Sequence, residues 1–353
     1  MKALVIGSGL IGGSIGLALK NAGHAVEIRD LTESSTKQAQ DSTQIHGQVG
    51  DPDLVVIAVP TNVTATVIID AIRAYPNAIV IDVASVKSEV VSEVYSAVGP
   101  YGNFVPTHPM SGKEKTGASH AAFDLFQDRI WVISPSAFTD LQAIRTVSDV
   151  IIDCGGIVVT MSPEDHDKTV ALTSHVPQVL ASLLAQRLNL FDAESVRVSG
   201  NGLRDMTRLA ASNAELWKSI LQSNSAFIKP LLNEFADSLK NLSQALEIND
   251  ESFISDFLIK GNQGRMKVPG KHGAPAIEYA IVSIVIDDKP GQLAGIFNTA
   301  GKSNINIEDV RIDHSLGKQQ AVIELFVQSQ YENQLRSALE NDGWTVRANI
   351  AAD

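Results

Sequence analysis

The chain has 353 residues, more than one hydrophobic core usually serves, so two or three domains are expected. Its 28 basic residues against 40 acidic ones leave a formal charge of −12, which disfavours nonspecific attraction to nucleic acid and leaves room only for a local basic site. One cysteine, Cys154, excludes an intrachain disulfide or a thiolate cluster, and its setting VIIDCGGIVV reads as a buried strand connection carrying a small core thiol.

The amino terminus enters a domain pattern at once. In MKALVIGSGLIGGSIG the apolar run Ala3 to Ile6 fits a parallel strand covered on both faces, and Gly7, Gly9 and Gly12 follow it. At this spacing Gly7 permits a tight strand-to-helix turn, Gly9 lets a pyrophosphate approach the backbone, and Gly12 lets the helix through Ser14 to Lys20 pack close to the strand. The amides and positive end of that helix suit phosphates. A second strand, His24 to Arg29, ends at Asp30, 23 residues beyond Gly7. That is close to the roughly 20-residue spacing of a ribose-binding acid. Asp30 favours NAD over NADP, because a carboxylate accepts from two ribose hydroxyls and repels a 2′-phosphate; Arg29 beside it keeps NADP open.

Asp53 to Val59 is a further apolar run ending at Pro60-Thr61, and Ala78 to Val83 leads into Ala84-Ser85-Val86-Lys87. Phe104 to Pro106 is followed by Thr107, His108, Pro109 and a turn through Gly112; Ile130 to Ile133 and Ile157 to Val159 add strands. Helical segments such as Thr64 to Ala74 and Ser88 to Val98 alternate with them, the pattern of a mostly parallel open sheet. Its crevice lies beyond the carboxyl ends of the strands, where the loops bearing Ser85 and His108 emerge. A serine and an imidazole beside a nicotinamide can hold and deprotonate a hydroxyl during hydride transfer. Each also has an ordinary use: Ser85 as a cap for a helix starting near Val86, His108 as a satisfied loop histidine.

From Ser162 to about Glu247 the periodicity is helical, with broad apolar faces for core packing and an exposed face that can join two subunits. His166 and His175, nine residues apart, lack a metal-ligand spacing, and no metal is implied. Arg204, Asp205, Thr207 and Arg208 lie in a polar, glycine-containing segment; an arginine here suits a carboxylate, or equally a surface ion pair. Trp217 reads first as a helix-core anchor. Residues 259–278 read as a connector rich in glycine and proline. Beyond it, Ala280 to Ile286, a helix, a returning strand and Gln320 to Gln328 form an α+β pattern. Apolar stretches are interrupted before membrane-spanning length and no signal sequence precedes the first strand, so no membrane association and a cytoplasmic location are expected.

Taken together, GSGLIGGSIGLAL, DVASVK at Asp82 to Lys87, THPMSGKEKTG at Thr107 to Gly117, TSHVPQ at Thr173 to Gln178 and GLRDMTRLAASNAELW at Gly202 to Trp217 resemble the prephenate and arogenate dehydrogenases of tyrosine biosynthesis. KPGQLAGIF and NINI resemble an ACT domain, a small module that binds amino acids at interfaces. The resemblance implies a Rossmann-like α/β nucleotide-binding domain (1–160), an all-helical substrate and dimerisation domain (161–258), a linker (259–278) and an α+β ACT-like regulatory domain (279–353). It implies His108 as the catalytic histidine on the ring hydroxyl, Ser85 as its companion near the nicotinamide, and Arg208 as the main substrate-carboxylate partner. His175 would complete the polar pocket. Lys113 stands where the family often has threonine, against the substrate side chain, and Gln178 where some members have histidine. The expected NAD contacts are Gly7, Gly9, Leu10, Ile11, Gly12, Asp30 and Pro60.

The implied reaction is oxidative decarboxylation of prephenate to 4-hydroxyphenylpyruvate, with arogenate as the alternative substrate yielding tyrosine. A homodimer is implied, with tyrosine as feedback inhibitor at the ACT-like domain, or that domain serving only dimer contacts. Two other readings are a catalytically inactive protein that responds to NAD or tyrosine, and a β-hydroxyacid dehydrogenase. The second would need a helix lysine for acid-base chemistry, and Lys168 lacks the surrounding pattern.

Overall fold

Short runs of Val, Ile, Leu and Ala become five parallel strands, β1 (Lys2–Ile6), β2 (Ala25–Arg29), β3 (Leu54–Ile57), β4 (Ile79–Asp82) and β5 (Phe104–Pro109). The crossover helices α1 (Leu10–Asn21), α2 (Glu33–Thr43), α3 (Thr61–Ala74) and α4 (Ser88–Val98) connect them. β6 (Ile130–Ile133) turns back antiparallel to β5; α5 (Leu141–Asp153) then leads to β7 (Ile157–Thr160), parallel to β6. The sheet order is β2-β1-β3-β4-β5-β6-β7. This is a computed structural model; it describes residues 1–111, 117–268, 279–287, 289–314 and 320–347, in two units, Met1–Leu239 and Lys240–Asp353.

The strand pleat divides the core of this sheet. Ala3, Val5, Val56 and Val105 face Ile15 and Leu19 of α1 and Val147 and Ile151 of α5. Leu4, Val55, Val80 and Phe104 face the other way, toward Ile68 of α3 and Val90 and Val94 of α4. Both faces are covered, which is why these strands are apolar throughout rather than alternating. Cys154 is not a strand connection: it is the C-cap of α5, buried, its thiol pushed up to about 12 by burial and by the neighbouring Asp153.

After β7, Ser162 caps α6 (Pro163–Val170) by accepting from the Asp165 amide at 3.1 Å, with Pro163 in the first turn where its missing N–H costs nothing. A π-turn, Ala171–His175, carries the rod into α7 (Val176–Arg187). Pro177 accounts for the widening, since in a regular helix its ring would strike the carbonyl four residues back. The helices α8 (Ala193–Arg197), α9 (Asn201–Thr207), α10 (Ala214–Ser223) and α11 (Ser225–Glu247) follow.

The connector expected at 259–278 does not begin at 259. Asp250 accepts from the Phe253 amide at 3.0 Å and opens α12 (Glu251–Arg265), which runs through Gly261 and Gly264. Each of those glycines costs about 1 kcal/mol relative to alanine, too little to break a capped helix of 15 residues. Residues 269–278 lie outside the described residues.

In the second unit, β8 (Tyr279–Asp287), α13 (Gln292–Lys302), β9 (Asp309–His314), β10 (Gln320–Gln328), α14 (Glu332–Asn341) and β11 (Thr345–Val346) form an antiparallel sheet of order β11-β8-β10-β9. A helix after the first and third strands makes this a βαββαβ arrangement. Val282 and Ile284 of β8 and Ile323 and Leu325 of β10 are buried with Ile296 of α13 and Leu335 of α14. Among the described residues no helix is long and apolar enough to cross a membrane.

Candidate active site

β1 lies between β2 and β3, so the chain leaves it toward one side and later returns on the other; open sheets bind ligands at the carboxyl end of such a switch. Here Gly7 has φ +99°, and a Cβ on it would lie 2.3 Å from the Ala58 carbonyl oxygen at the end of β3. A Cβ on Gly12 would lie 2.0 Å from the Gly7 carbonyl oxygen. A side chain at either position would force backbone apart. Gly9 differs: it is the N-cap of α1 without a side-chain bond, and a Cβ there would meet nothing within 4 Å. That space adjoins the first turn of α1, where Leu10 and Ile11 present backbone amides. Pro60 is exposed and is the N-cap of α3.

Asp30 follows β2 beside this turn. Its Oδ2 accepts from the Ser8 amide at 2.7 Å and from the Ser8 hydroxyl, and its Oδ1 accepts from the Leu31 amide at 2.7 Å. Burial opposes its ionisation, but these donors outweigh burial and hold the carboxyl below its ordinary value. Arg29 is engaged elsewhere. Its Nε donates to Glu27 at 2.6 Å and its Nη1 to the Tyr75 hydroxyl at 2.9 Å.

A second cluster gathers where β4, β5 and α6 meet. The fully buried Lys87 ammonium donates to Asp82 Oδ2 and, at 2.7 Å, to the Thr107 carbonyl oxygen, bridging the ends of β4 and β5. Burial draws this lysine below its ordinary value, opposed by the Asp82 carboxylate. Asp167 accepts from the Lys87 and Ser88 amides, each at 2.8 Å, and so caps α4 from outside. The cap expected of Ser85 is therefore supplied by Asp167, because α4 begins at Ser88 rather than near Val86. His108 Nδ1 lies 2.9 Å from His166 Nε2, and His166 Nδ1 lies 2.8 Å from Asp167 Oδ1. Burial first, then His166, Lys87 and His175, pulls His108 well below the usual histidine value, so the ring is neutral at pH 7.

His175 is buried at the end of the π-turn, edge-on to Trp217, and accepts from Asn224 Nδ2 at 2.9 Å. The same amide group donates to the Asp167 carbonyl oxygen at 2.9 Å. Burial lowers His175 to about 4, with Asp167 opposing the shift and His166 adding to it. Since Asn224 donates to Nδ1, the neutral ring carries its hydrogen on Nε2. Trp217 packs into the core beside α3 and α4, as an anchor would.

Ser85 is half-buried in the loop after β4. Arg208 is exposed and follows α9, in a turn that packs on α7. Gln178 is buried on α7; its amide donates to the Ser182 hydroxyl at 3.3 Å, and its carbonyl oxygen has no partner among the described residues. Lys113 lies outside the described residues. Lys168 is on an exposed face, paired with Glu164 at 2.6 Å, away from the role a helix lysine would need in a β-hydroxyacid dehydrogenase. His166, Asp167, Asp82, Lys87 and Asn224 were not among the residues the sequence singled out for chemistry. One signal was present: helical spacing puts His166 and Asp167 on the stripe of Val170 and Ala171, which marks them for burial.

Residues 15–160 match the family model "Prephenate dehydrogenase, nucleotide-binding domain", and residues 162–258 match "Prephenate dehydrogenase, dimerization domain". The cyclohexadienyl dehydrogenase of Zymomonas mobilis is 31% identical over 284 residues, covering 76% of this chain and 96% of that protein. The Streptomyces niveus protein named "Probable prephenate dehydrogenase NovF" is 29% identical over 325 residues, covering 88% and 89%. The crystal structure of the Aquifex aeolicus prephenate dehydrogenase, in complex with hydroxyphenyl propionate and NAD+, superposes with a TM-score of 0.69 at 26% identity, covering 76% of this chain and 98% of that one. Two consecutive domain matches and relatives spanned over most of their length agree on one assignment: the chain belongs to the prephenate dehydrogenase family.

Proposed function

We propose that the chain is an NAD-dependent prephenate dehydrogenase, which converts prephenate to 4-hydroxyphenylpyruvate with release of carbon dioxide. The observation that carries this reading is a neutral histidine, His108, at the carboxyl end of β5 in a chain of this family. The glycine turn fits a dinucleotide: Gly7 and Gly12 are filled by backbone, Gly9 leaves space over the amides of α1, and Asp30 presents a fixed carboxylate for a ribose. NAD+ bound there supplies the hydride acceptor.

His108 takes the proton of the ring hydroxyl as the C–H bond at that carbon is given up. Loss of the ring carboxylate as carbon dioxide leaves its bonding pair to complete the aromatic ring. Ser85 holds the hydroxyl beside His108, while Arg208 and the Nε2–H of His175 bind the carboxylates that orient the ring. The same site suits arogenate as a second substrate, a reading favoured by the 31% identity to a protein named a cyclohexadienyl dehydrogenase. Incubation with prephenate and NAD+ is expected to yield 4-hydroxyphenylpyruvate, carbon dioxide and NADH in equal amounts. Folded protein that makes none of them from prephenate or arogenate would refute the reading.

Asp30→Ser is expected to raise KM for NAD+ by roughly tenfold or more while raising KM for NADP+ less, since one charged acceptor is lost and one source of 2′-phosphate repulsion removed. Equal effects on both cofactors would remove Asp30 from the ribose site. Arg208→Ala is expected to raise KM for prephenate, with a loss of about 2–4 kcal/mol in kcat/KM if two charge-assisted hydrogen bonds go with it. Unchanged kinetics would place Arg208 elsewhere.

The domain roles follow: 1–160 for the cofactor, 161–258 for substrate and dimerisation, and 279–353 as an ACT-like regulatory module. A homodimer is supported by α12, a 15-residue helix with no buried residue that exposes Phe253, Phe257, Leu258 and Ile259. The βαββαβ order of the second unit supports the ACT-like assignment, with tyrosine as its ligand. Calorimetric titration of the whole chain with tyrosine is expected to show saturable binding; heat no larger than that of dilution would leave the module to dimer contacts alone.

A further inference from the structure

Ionised Asp167 has only accepting oxygens, so the hydrogen in its 2.8 Å contact with His166 resides on His166 Nδ1. With its hydrogen on Nδ1, the His166 ring offers a lone pair at Nε2, which faces His108 Nδ1 at 2.9 Å. His108 must donate from Nδ1, leaving Nε2 as the basic atom. The opposite tautomer of His108 would require His166 to carry a second proton within a pocket that already holds the Lys87 ammonium. We propose that His166 and Asp167 are positioning residues, which fix His108 in its Nδ1–H tautomer and stabilise the imidazolium formed when Nε2 takes the substrate's hydroxyl proton. The proposal rests on the reading of His108 as the base.

Several elements pack against His108, and burial, His166, Lys87 and His175 together lower its value, so stabilisation of the imidazolium has to come through the carboxylate behind His166. His166 comes from α6 with Asp167 behind it, Lys87 from the β4–α4 connection with its partner Asp82 at the end of β4, and His175 from the π-turn. Of these, only Asp167 places a negative charge in line with the His108–His166 contact. The positive charge that His108 gains at Nε2 is thus met, through its Nδ1–H, by a chain of two hydrogen bonds ending on a carboxylate held ionised, against burial, by His166, Ser88 and Lys87. Asp167 has further work: it caps α4 after the Ser85 loop, and its carbonyl oxygen shares Asn224 with His175. His166 contacts His108 and Asp167 and is the cleaner residue to change.

The test combines nuclear magnetic resonance with kinetics on the full chain labelled with 15N-histidine. His108, assigned by the loss of its signals in His108→Gln, is expected to show a protonated Nδ1 and an unprotonated Nε2. In His166→Leu that preference is lost, and kcat falls by roughly 10²–10⁴-fold, with KM for prephenate and NAD+ within about threefold of wild type. His166→Gln, whose side-chain oxygen can accept the same hydrogen, retains kcat within about tenfold of wild type, which a packing role would not predict. His108 protonated at Nε2 in the wild type, or unaltered kcat in His166→Leu, would overturn the proposal. A wild-type protein inactive with prephenate would refute the substrate reading instead, and the observed tautomer would still decide this one.

Discussion

His108→Ala is expected to lower kcat with prephenate by roughly 10²–10⁴-fold, the usual share of a positioned acid-base group, with the fold and NAD+ affinity retained. On the proposed assignment the effect falls on kcat, because the proton would move only as the C–H bond is broken while Arg208 and His175 would hold the carboxylates. The pH dependence follows from the same environment. Burial, His166, Lys87 and His175 lower the His108 value, so the basic form persists through neutrality and kcat/KM falls only as pH drops through that lowered value. Stability moves in the same direction. Unfolded histidines take up protons near pH 6.5, whereas His175 resists until about 4, so the stability present above pH 6.5 is lost as pH falls toward 4. For His175 alone, that difference corresponds to about 3 kcal/mol. Near-normal turnover in folded His108→Ala would remove this residue from the chemistry.

Lys87→Met is expected to destabilise the first unit by about 3–5 kcal/mol, because it strands the Asp82 carboxylate in a fully buried site. Asp82 would keep the Ala84 amide, at 3.1 Å from its Oδ2, while its Oδ1 already has no partner among the described residues. The Thr107 carbonyl oxygen loses a donor in the same step. Neutralising the acid as well, in Asp82→Asn with Lys87→Met, should recover most of the loss, since asparagine still accepts from Ala84 without requiring a counter-charge. The urea midpoints of the two variants measure this. A change under about 1 kcal/mol in Lys87→Met would show that the buried pair is not needed for stability. Activity is expected to fall with stability, because Lys87 joins the strand ends from which the Ser85 loop and His108 project.

The glycine turn was legible because its requirements are local: steric exclusion at Gly7 and Gly12, open space at Gly9, and a carboxylate after the next strand. The central strands β1, β3 and β4 were equally visible, since burial on both faces writes itself as nearly unbroken apolar runs. The support behind His108 could not be seen in the same way. His108 and His166 are 58 residues apart, and Asp167 reaches an amide 80 residues back, so neither contact follows from any local period. The second half of α12, from Ile259, escaped for another reason: its glycines resemble a linker, and the cap on Asp250 that offsets them looks like an ordinary loop acid. The short helices α8 and α9 have no buried residue to betray them, and α14 and β11 close a sheet whose central strands carry most of the apolar signal.

Initial rates of reduced-cofactor formation by the purified chain, with prephenate and arogenate each paired with NAD+ and NADP+, test the proposed activity most directly. The expected result is greatest kcat/KM with prephenate and NAD+, from a protein whose Asp30 is bound to Ser8 and whose Arg29 is engaged by Glu27 and Tyr75. Folded protein with no turnover in any of the four pairings would contradict the account.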